Sequence, residues 1–205
     1  MIVPGLATLP PPPRRWVVCD VETTGLDPRR DALLAIGAVA VRDGRVAPAD
    51  SFEMGLSPER LADRDNILVH RIGEQAQRAG RPAAEALAAF AAYAGDDPLV
   101  AFHAAFDRGF LRRACRAAGA PMPPGRWVDL AELAPALLSG PRSGALDDWL
   151  AQCRIPVTER HDAVSDAMAT AMLFQMLLSR VPLAMREPAA LARRAREGRW
   201  LSRSA

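Results

Sequence analysis

The chain has 205 residues, half of them hydrophobic but only 5% aromatic, enough for one domain whose core must be mostly Ala, Leu and Val. A net charge of +2 is too small to announce a nucleic-acid binder, but residues 186–205 hold six Arg against two Glu, so this tail carries +4 and the remainder −2. The three cysteines, Cys19, Cys115 and Cys153, lie far apart without zinc-ligand spacing, and no apolar run approaches the ~20 residues of a membrane helix. These features exclude a zinc module and a membrane protein, and the expectation is a cytoplasmic chain with reduced thiols.

Residues 1–15 read as a Pro-rich irregular arm, "MIVPGLATLPPPPRR", without the basic start of a signal peptide. Strands are expected over 16–22, 32–42 and 45–54, the last two joined by Asp43-Gly44, a tight-hairpin signal. A polar, ambiguous region with "ILVHRIGEQ" follows. "PAAEALAAFAAYAG" reads as a helix between Pro82 and Gly95, "PLVAFH" as a short buried strand, and "AAFDRGFLRRACRAAG" as a helix ending at Gly119. "RWVDL" is a short strand candidate, with short helices around "LAELAPALL" and "ALDDWLAQC". The last clear helix runs from about Asp162 to Ser179. An antiparallel start followed by strand–helix alternation implies an α/β fold, a mixed sheet covered by helices.

Three places along this order carry chemistry. In "WVVCDVETTGL", side chains two apart on a strand share a face, so Trp16, Val18, Asp20 and Glu22 line one side and Val17, Cys19 and Val21 the other. Adjacent carboxylates resist ionising together, and a divalent cation with a preference for oxygen ligands removes that penalty. A strand end running into solvent accounts for the pair equally simply. Asp107, in "HAAFD", falls in a helix's first turn, as a ligand or as an acid favoured by the helix dipole. In "ERHDAVSD", Asp162 and Asp166 are four apart and could share a helical face. His161 is five from Asp166, about 140° around the helix, so it serves the same centre only from the preceding loop, where a neutral imidazole could accept a proton. The residues alone do not choose between Asp162 and Asp166.

Together, "DVETTGL", "HAAFD" and "HDAVSD", in this order and about 85 and 60 residues apart, resemble the three motifs of the DEDDh (DnaQ-like) 3′–5′ exonucleases. The resemblance runs from about Trp16 to Leu178. It implies an RNase H-like fold with a mixed sheet of about five strands, an exonuclease domain over 16–182, and an Arg-rich tail over 183–205. It further implies two divalent cations, Mg²⁺ or Mn²⁺, bound by Asp20, Glu22, Asp107 and Asp166, with Asp20 bridging them. His161 resembles the general base, and Asp162 is then a helix-start residue. Thr23, Thr24, Leu26, His103 and Phe106 match positions that hold the terminal nucleotide. His103 stands where relatives usually have Asn, a departure that leaves the acids intact and bears on end-group contacts.

The implied reaction removes the terminal nucleotide from a DNA or RNA 3′ end as a nucleoside 5′-monophosphate. The expected partners are nucleic-acid 3′ ends, with DNA polymerase association possible in replication or repair although "LARRAREGRWLSRSA" resembles no clamp-binding tail. The alternatives are an RNA-trimming exonuclease and a catalytically silent nucleic-acid-binding domain on the same fold. The silent domain predicts loss of an acid or the histidine, and all five are present. An HD-type phosphohydrolase, suggested by His161-Asp162, would need further well-placed histidines than His70 and His103. Trp149 is expected in the core.

Overall fold

A computed structural model of the chain describes residues 12–58, 72–140, 144–157 and 162–203. Five strands form one sheet: β1 (Arg15–Thr23), β2 (Leu33–Arg42), β3 (Arg45–Gly55), β4 (Leu99–Ala101) and β5 (Trp127–Asp129). Their order is β3-β2-β1-β4-β5. The first three pair antiparallel, and β4 and β5 continue parallel to β1. Seven helices are described: α1 (Glu74–Ala79), α2 (Ala83–Ala94), α3 (Ala104–Ala118), α4 (Leu130–Leu137), α5 (Leu146–Gln152), α6 (Ala163–Ser179) and α7 (Pro188–Arg203).

Burial follows the expected alternation. Strand β2 is apolar along nearly its whole length and buried on both faces, as a central strand must be. On one face, Trp16, Val18, Val39, Val41 and Val100 pack with Leu133, Trp149, Phe174 and Leu177 of α4–α6. On the other, Val17, Cys19, Ile36 and Leu99 pack with Leu87 and Phe90 of α2 and Phe110 and Leu111 of α3. Trp149 is thus a core residue, 1% exposed. At the hairpin, Asp43 (φ 48°) and Gly44 (φ 78°) are both left-handed, the conformation the tight two-residue turn requires.

The structure differs from the sequence reading in two places. The ambiguous region contains α1, whose Gln77 is buried and donates its side-chain amide to the Ile72 carbonyl at 2.8 Å. The segment read as an Arg-rich tail contains α7, whose Leu191 and Ala195 are buried in the first core. Two apolar residues spaced i, i+4 are enough to dock a helix, and six arginines had hidden them.

Candidate active site

Asp20 and Glu22 continue the row of Trp16 and Val18, where β1 runs on past its pairing with β4 but is still paired with β2. Beyond Glu22 the pairing register with β2 shifts. Asp20 lies opposite Gly37 of β2, and a Cβ on Gly37 would collide with the backbone of Ala163 and Val164. The missing side chain therefore lets the first turn of α6 lie directly on the sheet. That contact delivers Asp166 to the two strand acids. Asp20, Glu22 and Asp166 each offer a carboxylate oxygen within 4.8 Å of the others.

Asp162 does something else. It precedes α6, and its carboxylate accepts the Ser165 backbone N–H at 3.0 Å as a helix N-cap. Sequence spacing left Asp162 and Asp166 equivalent; backbone geometry separates them. His161 lies outside the described residues, as do His70 and Arg160.

Asp107 stands beside the three-acid group rather than within it. It is 2% exposed, in the first turn of α3, which springs from the end of β4 next to β1. Burial pushes its carboxyl up to about 8; the nearby Asp129 and Glu22 charges add to this, and the backbone amides of Asp107 and Val21 oppose it. Four acids therefore gather at one sheet end, one of them in a setting that disfavours its charge.

Asp129 was not singled out in the sequence. It ends β5, beside β4, and one carboxylate oxygen accepts the N–H of His103 at 3.0 Å and of Ala131 at 2.9 Å. His103 is the N-cap of α3 and takes a left-handed conformation, φ 62° and ψ 49°. Such a conformation is uncommon outside Gly, and Asn tolerates it better than most, which gives a backbone reason for the Asn expected here from the family resemblance. Asp129 ties the junction that aims Asp107 to the start of α4. Burial raises the Asp129 carboxyl too, with Glu132 adding. The only sequence signal was an acid at the end of "RWVD", parallel to the strand that leads to "HAAFD".

The remaining residues line the approach. The Thr23 hydroxyl donates to the Gly25 carbonyl at 2.7 Å, and the Thr24 hydroxyl accepts the Ala32 N–H at 2.8 Å. These bonds shape the loop after β1, and Leu26 projects from it, 84% exposed. His103 is exposed with its ring edge-on to Phe102, 4.8 Å between centroids, while Phe106 is half-buried against Phe110 at the same separation.

An all-oxygen donor set suits hard divalent cations rather than zinc held by thiolates. Without a cation, carboxylates so close repel one another. Among the described residues, no helix is long and apolar enough to cross a membrane.

The chain is similar to known proteins in both sequence and fold. The exonuclease family profile (RNase T type) matches residues 17–174. The "DNA polymerase III PolC-type" of Oceanobacillus iheyensis is 32% identical over 166 residues, 81% of this chain and 12% of that protein. Its counterpart in Listeria monocytogenes is 31% identical over 163 residues, 80% of this chain and 11% of that one. The chain thus spans about an eighth of the polymerases it matches. In fold it is similar to exonuclease I, with a TM-score of 0.71 at 18% identity over 87% of this chain and 42% of that one. The E. coli exonuclease I complex with a dT13 oligonucleotide gives 0.70 at 18% identity over 82% and 42%. The mixed five-stranded sheet is accordingly the RNase H-like exonuclease fold, and the chain belongs to the exonuclease family.

Proposed function

We propose that this chain is a 3′–5′ exonuclease that hydrolyses the terminal phosphodiester of DNA and releases nucleoside 5′-monophosphates, using two divalent cations, Mg²⁺ or Mn²⁺. The observation that carries the reading is the convergence of Asp20, Glu22 and Asp166 on one point, with buried Asp107 beside them. Asp20, Glu22 and Asp166 would hold one cation, with Asp107 and Asp20 serving a second. Cations held there would supply charge neutralisation at the phosphate and a lower pKa for the attacking water.

The chain's own groups do the rest. The sheet end holds Asp20 and Glu22 in fixed positions, and α6 holds Asp166 against them through Gly37. His161, one residue before the α6 N-cap, is assigned as the base that takes the proton from water. It must be neutral to do so. Leu26 offers an apolar surface to the terminal base, and the loop set by Thr23 and Thr24 holds the end of the strand. His103 and Phe106 are assigned to the same end group. The catalytic unit is the expected domain over 16–182, with α7 contributing core side chains from the segment beyond it.

DNA is preferred as the substrate class because the polymerase relatives act in DNA synthesis by name and the E. coli structural neighbour is bound to a deoxyoligonucleotide. The same relatives support an association with a DNA polymerase, and the three free cysteines support a cytoplasmic setting. A zinc-bound form of E. coli exonuclease I, similar at a TM-score of 0.67 and 20% identity, supports metal dependence without choosing the ion. The test is a time course on 5′-labelled single- and double-stranded DNA and RNA with Mg²⁺, Mn²⁺ or chelator. A descending ladder with metal, faster on DNA, is expected. Full activity in excess EDTA, or immediate release of the labelled 5′ nucleotide, would contradict the reading; faster decay of length-matched RNA would assign the chain to RNA trimming.

A further inference from the structure

A second feature lies around the corner from the acids, along the β5 edge of the sheet. Helix α7 runs beside β5, and between it and α3 is a cavity of about 330 Å³. The cavity exists because α7 presents the small residues Ala189 and Ala192 there, next to the buried row of Leu191 and Ala195. Three arginines line it, from three separate elements: Arg108 of α3, Arg126 just before β5 and Arg196 of α7. Trp127, half-buried, forms part of the wall. The lining contains no acid.

Among the described residues, none of these three guanidinium groups makes a hydrogen bond or an ion pair. Arg14, Arg15, Arg42, Arg78 and Arg193 all have carboxylate partners. Three like charges around one cavity repel one another unless an anion joins them. Guanidinium groups suit phosphate oxygens in particular, through forked charge-assisted hydrogen bonds. Arg108 follows Asp107 directly, so the same helix that carries an acid of the candidate active site carries one wall of the cavity.

We propose that this cavity is a second contact for nucleic acid, binding a backbone phosphate of the strand being cut at a position remote from the scissile bond. It deepens the proposed function and rests on it. An acidic site repels a polyanion, and a basic contact beside it offsets that repulsion where no chemistry occurs. Contact with phosphates makes the site indifferent to sequence, and Trp127 adds a ring face for a base or sugar.

The test is binding in chelator, where turnover is absent: fluorescence anisotropy of a labelled 20-nucleotide single strand and of a labelled dinucleotide. The triple variant Arg108→Gln, Arg126→Gln, Arg196→Gln should bind the 20-mer about tenfold or more weakly, and the slope of log affinity against log salt should fall by about 2. The Arg→Lys triple variant should keep the salt slope, since charge is kept, and bind between the unmutated protein and the Gln variant, since the forked bonds are lost. The dinucleotide should be affected far less than the 20-mer. Should the triple Gln variant fold poorly, Arg196→Glu alone, on the exposed side of α7, should still weaken 20-mer binding several-fold. An unchanged affinity and salt slope overturns the proposal, as does an equal loss for the dinucleotide. Inorganic phosphate should compete no better than chloride at matched ionic strength; strong competition would assign the cavity to free phosphate instead. Mononucleotide release by the unmutated protein tests the exonuclease reading separately.

Discussion

Strand β1 meets charge at both ends and treats it in opposite ways. At its start, Arg15 forms a two-pronged ion pair with Asp50, at 2.9 and 3.0 Å, and a further bond to Asp97 at 2.7 Å. Arg42 also reaches Asp50, at 2.6 Å, and the Arg15 guanidinium lies over the Tyr93 ring, 4.6 Å from its centroid. Every charge there meets its opposite, and the Arg15 contact holds the Asp50 carboxyl below its ordinary range. At the other end Asp20, Glu22 and Asp166 gather with Asp107 nearby. Opposite charges brace the fold at the first end; at the second, carboxylate oxygens from separate elements converge into a donor set for an external cation.

The largest expected effect comes from breaking the acidic end. Asp20→Ala should reduce cleavage on the order of 10³-fold or more, since the cation contribution is worth several kcal/mol. In chelator the same variant should melt higher, by about 2–4 °C, because a repelling carboxylate is gone. Activity kinetics and a thermal melt check the two halves. Lower stability in chelator would remove the contrast between the two ends.

Next is the base. His161→Ala should slow turnover by about 10²–10⁴-fold while Mn²⁺ binding, followed by calorimetry, is kept. Asp166→Ala should weaken metal binding as well as turnover. Comparable metal loss in both variants would place His161 among the ligands.

The tether at Asp129 should matter less. Asp129→Ala leaves two backbone N–H groups without their acceptor and should cost about 2–3 kcal/mol of stability with weaker Mn²⁺ binding. Adding His103→Gly should recover about 1 kcal/mol, because glycine adopts the left-handed conformation without the strain that the tether offsets. No recovery in denaturant melts would mean that Asp129 does not act through His103.

At the paired end, Asp50→Asn should cost about 2 kcal/mol at pH 7. The Asp50 carboxyl is depressed in the fold, so its contribution is present above its unfolded value of about 3.9 and disappears as pH falls through the folded value. Urea melts of the two proteins should therefore converge in acid. The smallest effect is expected for Asp162→Ala, which removes an N-cap worth about 1 kcal/mol and should leave metal binding largely intact. A loss equal to that of Asp166→Ala would return Asp162 to the ligand set.

Local rules made part of this protein legible before its structure. Asp20 and Glu22 share a face because strand side chains alternate, and Asp43-Gly44 turns the chain because both residues accept positive φ. The helix starts at Pro82 and Asp162 are likewise read from single residues. Order and spacing of three motifs then pointed to the family, although no single motif could. Asp129 escaped notice because its partner, the His103 N–H, lies 26 residues away across two strands. The docking of α7 escaped because arginines dominate its composition.

What the sequence by itself determined is the local part: strand faces, turn chemistry, helix ends and the identity of the acids, all set by covalent geometry and near neighbours. The motif resemblance named the acids, but only the tertiary structure shows how they meet. Asp162 caps its own helix through a local bond to Ser165, whereas Asp166, one turn on, reaches the strand acids because α6 seats on Gly37. The same holds for Arg108, Arg126 and Arg196, which come together because α7 packs along β5. Such meetings depend on how close two elements can approach, and that distance is fixed by packing across the whole sheet rather than by any stretch of chain alone.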